Sequence, residues 1–145
     1  MESTASTDQL SSSAEAFAAI ALAAVACDGE LAALEARGLR QQLEYRQPYC
    51  TWSEAAMGAL LDRLLLILRQ QGCEALVRQA VPLLAPQQRE TVLAVAADLT
   101  RADHIETNSE HQFLLELADL LGIIPERSGQ ILDVIALLNT DSLAA

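Results

Sequence analysis

The chain has no lysine. Its nine basic residues are all arginine, and they face twenty Asp and Glu, which sets the net charge at −11. A surface of that sign repels phosphate backbones and anionic headgroups, which argues against a nucleic-acid binder and favours partners with basic surfaces. Aromatic residues are almost as scarce, five in 145. Alanine and leucine must therefore build the core, and that bias suits closely packed helices rather than sheets, which draw on β-branched and aromatic side chains. No glycine-rich phosphate loop is present, and no histidine stands near a Ser or Cys in a recognised catalytic pattern, so an enzyme is not expected.

Cysteines number three, Cys27, Cys50 and Cys73. They are odd in count and far apart, and by spacing they make neither a disulfide framework nor a CxxC metal pair. Cys27 closes an apolar run and reads as a small buried hydrophobe, in a reducing, cytoplasmic setting. Long hydrophobic stretches are also missing. The longest, "AFAAIALAAVAC" at residues 16–27, is twelve residues, whereas a membrane-spanning helix needs about twenty. Glu2, Asp8 and Glu15 precede it, the wrong charge for a signal peptide. It is expected to be a central core helix.

What is present reads as helix throughout. At this length and 52% hydrophobic content the chain fits one domain, with residues 1–12 a flexible polar tail and 13–145 a single helical domain. Ser12 or Ser13 can cap a first helix to about Cys27, and a second follows Asp28-Gly29 from about Leu31 to Arg46. Pro48 marks a loop, after which Thr51 and Glu54 read as a capping box for a third helix ending at Gly72. A fourth spans about Glu74–Leu84 with Pro82 inside it, and Pro86 opens a fifth to about Arg101. Thr107 and Glu110 would cap a sixth to Gly122, and Pro125 starts a seventh to about Asn139. The expectation is an all-α bundle of about seven helices with no strand.

Two short segments, "DGELAALE" at 28–35 and "DHIETNSE" at 103–110, each set an Asp seven residues before a Glu at a joint between helices. The same shift of 75 aligns Ala19 with Ala94, Ala21 with Ala96 and Leu39 with Leu114, which points to an internal duplication. A calcium loop is the first reading to test. Asp28, Gly29, Leu31 and Glu35 have EF-hand spacing, but the first and third ligand positions would be Ala24 and Ala26, or Leu99 and Arg101 in the second copy. A cation requiring six to eight oxygens cannot be wrapped by what remains.

"AVACDGELAALE" and "ADHIETNSEHQFLLELADLLGI" resemble the TerB-like family, which comprises tellurite-resistance TerB proteins and the N-terminal domain of DjlA-type co-chaperones. The likeness spans residues 13–139. It implies an all-helical bundle with a pseudo-twofold repeat and no established catalysis, linked to tellurite or other stress and to assemblies near the membrane. Metal binding has been suggested for some members. Carried over by position, the motif acids are Asp28, Glu35, Asp103 and Glu110. The second copy departs from the pattern with Asp-His in place of Asp-Gly.

Two accounts of these acids remain open. In the architectural one, each Asp accepts hydrogen bonds from free turn N–H groups, and each Glu lies in the next helix's first turn, favourable to its dipole. In the other, the second joint holds a divalent cation, the one cofactor these residues suggest. Both histidines, His104 and His111, lie there with Asp98, Glu106 and the motif acids, a mixed imidazole and carboxylate set. Asp98 follows an apolar helix and is expected at the bundle's edge, paired with Arg101 or the turn. Tyr45, Tyr49 and Trp52 gather within eight residues, either to pin the loop onto the bundle or to form an interface. Oligomeric state has no signature here.

Overall fold

The computed structural model describes residues 9–101 and 108–144, and among them every regular element is helical. The order is α1 (Ser13–Ala26), α2 (Ala33–Glu44), α3 (Glu54–Gln71), α4 (Cys73–Ala80), α5 (Pro86–Thr100), α6 (Asn108–Leu120) and α7 (Pro125–Leu138), with 3-10 turns at Tyr49–Thr51 and Val81–Leu83. The all-α expectation and the helix count hold.

Local chemistry sets most boundaries. Ser12 caps α1 by accepting a hydrogen bond from the Glu15 N–H at 3.1 Å. Gly72 ends α3 at φ +96°, a conformation that penalises any side chain. Pro82 does not kink α4; the helix stops at Ala80, two residues earlier, and continues as a 3-10 turn. At α3 the cap differs from expectation. Ser53 accepts from the Ala56 N–H at 3.0 Å, while the Thr51 hydroxyl turns back to the Pro48 carbonyl at 2.8 Å. The 3-10 turn occupies Thr51 and moves the helix start two residues on.

The central helix is α1. Residues Ala16 to Ala23 are all buried, and α1 packs against α2, α3, α4, α5 and α6. A helix apolar on every side must be surrounded, and its alanines leave room for the neighbours' large side chains, among them Leu39, Leu64, Leu76, Leu93 and Leu117, all at most 1% exposed. Helix α5 is the second core element, packed on α1, α2, α6 and α7.

Two arginines close the ends. Arg89 donates to the Leu84 carbonyl at 3.0 Å, the Val81 carbonyl at 3.0 Å and the Leu121 carbonyl at 3.2 Å. It thereby satisfies the Leu84 and Leu121 carbonyls beyond the 3-10 turn and α6, and adds a second bond to the Val81 carbonyl, which already accepts from the Leu84 N–H. Arg63 on α3 pairs with Glu15 at 2.7 Å and donates to the Gln9 carbonyl at 2.5 Å. With Leu10 N–H donating to Gln79 Oε1 at 3.3 Å, residues 9–12 are held against the bundle. The flexible tail expected over 1–12 is thus anchored along its last four residues.

Candidate functional site

The first acidic joint is built from four interlocking devices. Asp28 Oδ1 accepts from the Glu30 N–H at 3.0 Å, an Asx turn that reverses the chain after α1. Gly29 supplies φ +88° at the tip, and the Arg69 guanidinium on α3 donates to its carbonyl at 2.9 Å. Glu35, in the first turn of α2, accepts from the Ala32 N–H at 3.2 Å, half of a capping box, since alanine cannot return the bond. Both motif acids therefore carry a backbone N–H apiece.

The fourth device corrects the cysteine reading. Cys27 and Cys73 form a disulfide, Cα to Cα 5.3 Å, across 46 residues of sequence. Cys27 is exposed rather than a buried hydrophobe. Sequence spacing misled because the pair forms only when the end of α1 meets the start of α4, within the separation a disulfide allows. Cys50 carries a free thiol and is exposed. The disulfide borders a groove of about 440 Å³ between α4 and α6, floored by Val77, Phe113, Leu117 and Leu120 and rimmed by Arg78 and Glu116.

At the second joint, Asp103, His104 and Glu106 lie outside the described residues. Glu110 is half-buried and His111 exposed, both in the first turn of α6. Among the described residues no group of three or more His, Cys, Asp or Glu side chains comes together.

Asp98 sits near the C-terminal end of α5. Half-buried on α5, it accepts from Gln42 Nε2 of α2 and from Asn139 Nδ2 at the end of α7, the latter at 2.9 Å. One carboxylate thus ties three helices, the arrangement that makes a partly buried charge tolerable. It faces a cleft of about 600 Å³ bordered by Tyr45, Arg46 and Arg101. Gln42 and Asn139 gave no sequence signal, because an isolated amide has no motif.

The aromatic group divides. Tyr49 is buried and its hydroxyl donates to the Ala14 carbonyl, with burial pushing that hydroxyl above its usual pKa. Trp52 packs edge-on against it, ring centroids 5.3 Å apart. These two pin the loop to α1. Tyr45 instead projects into solvent, 87% exposed.

One further surface had no counterpart in the sequence reading. Along α7 and its flanks, Ile124, Val134, Leu137, Leu138 and Leu143 are all more than 60% exposed. Glu126, Asp133 and Asp141 are also exposed there, and the adjacent cation, Arg127, is paired with Glu90 at 3.0 Å.

No family model, curated protein or solved structure matches this chain. Among the described residues no helix is long and apolar enough to cross a membrane.

Proposed function

We propose that the chain is a non-enzymatic helical interaction module of the TerB-like kind, which docks a basic amphipathic partner helix on the outer face of α7. The exposed apolar surface of α7 carries this reading. Monomeric proteins seldom leave contiguous large apolar side chains in water unless something covers them. Helix packing inside the molecule supports the choice of a helix as the occupant. In the first half, α4 packs against α3, and Ile67 and Leu68 near the end of α3 are at most 2% exposed. With the starts of α3 and α7 aligned, Leu138 takes the place of Ile67, and it is 70% exposed.

Charge supports the basic character. The protein carries −11, and three exposed carboxylates flank the patch. The place of such a module in tellurite or other stress assemblies rests on the resemblance of the two acidic joints to the TerB-like motif.

The test is capture of proteins from the source cells with the purified chain and with Leu137→Glu/Leu138→Glu. The chain should retain partners that the variant loses at least tenfold, as for an interface centre, and that high salt releases. A variant that recovers the same partners as the parent chain would refute the reading.

A further inference from the structure

The Cys27–Cys73 disulfide is placed for exchange rather than sealed in the core. Cys27 is exposed and Cys73 half-buried, and the bond borders the open groove between α4 and α6. The two sulfurs are also unequal. Cys27 follows the last turn of α1, at the negative end of a helix, whereas Cys73 is the first residue of α4. The cap of α4 is Gly72, with no side-chain acceptor, so the first-turn N–H groups can stabilise a thiolate on Cys73. The adjoining Glu74 carboxylate is paired with Arg78 at 2.8 Å.

We propose that Cys27 and Cys73 form a thiol–disulfide exchange site, through which a dithiol reductant unlocks the first acidic joint. One thiolate of the reductant attacks Cys27 Sγ. The Cys27–Cys73 bond breaks, and its electron pair leaves on Cys73 as thiolate. The reductant's second thiolate then attacks its own sulfur in the mixed disulfide and releases Cys27. The protein gains two electrons and two protons, and the reductant becomes its disulfide.

Reduction releases the end of α1 from the start of α4. The 28–32 turn is then held by hydrogen bonds alone, Arg69 to Gly29, Glu30 to Asp28, Ala32 to Glu35 and Gly29 to Ala26, and the edge of the groove at the two cysteines is freed. The consequence is local because α1 and α4 stay packed through Leu76, Val77 and Ala80, each at most 2% exposed.

The experiment uses the full chain with Cys50→Ser, so that only the pair reports, with dithiothreitol and glutathione buffers as probes. Oxidised protein should take up no iodoacetamide, and natively reduced protein two equivalents by mass. Circular dichroism should stay helical, and amide exchange over residues 27–33 should rise. With the partner cysteine also changed to serine, Cys73 should alkylate roughly threefold faster than Cys27 at neutral pH, the weight of a helix-terminus charge interaction. Four results would overturn the proposal: reduction only in denaturant, loss of the helical signal on reduction, unchanged exchange at 27–33, or two reactive thiols after incubation with glutathione disulfide.

Discussion

The two halves of the molecule repeat one plan and finish it differently. In the first, α2 and α3 pack on α1; in the second, α6 and α7 pack on α5, and the two core helices pack on each other. Shifting α2 by 75 residues gives 108–119, against an observed α6 of Asn108–Leu120. The first half is closed by a disulfide, by Arg69 on the turn and by α4 against α3. The second leaves the outer face of α7 in water. Similar helices thus produce a locked half and an open half, and the difference lies in what packs on each third helix and what ties each turn.

Truncation at matched positions of the two third helices measures that difference most strongly. Leu64 on α3 is fully buried, so Leu64→Ala should cost about 2–5 kcal/mol. Ile135 is its counterpart on α7 and only half-buried, so Ile135→Ala should cost no more than about half as much. Equal costs by denaturant unfolding would mean that the two halves are equally packed.

A middle-sized effect separates the carboxylate that joins the halves from the one in the turn. Asp98→Ala strips Gln42 and Asn139 of their shared acceptor and should cost about 1–3 kcal/mol. Asp28 is exposed, and Asp28→Ala should stay within about 1 kcal/mol, the usual cost of losing one solvent-exposed side-chain cap on a backbone N–H. Reversal of that order would make the acidic turn, rather than the three-helix tie, the structural centre.

The smallest effect concerns the anchor at the start of the chain. Burial alone would raise the Glu15 carboxyl, but hydrogen bonds from Ser11 and Arg63 hold it below the usual carboxylate range. A depressed folded pKa stabilises the protein above the unfolded value, and that contribution is lost as pH falls through the folded value. Glu15→Gln should therefore lower the melting temperature at neutral pH, and the gap should close in acid below the ordinary carboxylate range. A gap independent of pH would assign the effect to packing.

Local chemistry alone determined a good deal. Alanine and leucine in place of aromatics meant helices, Ser12, Gly72, Pro86 and Pro125 marked ends close to those observed, and the unbroken run at 16–27 could only be a surrounded helix. These inferences held because caps and apolar patterning act within a few residues of sequence. Tertiary structure decided what depends on distant partners. It joined Cys27 to Cys73, gave Asp98 the amides of Gln42 and Asn139, sent Tyr49 inward and Tyr45 out, and left Leu137 and Leu138 uncovered. An apolar stripe on a helix states that it needs a neighbour; only the packing of the other six helices settles whether the chain supplies one.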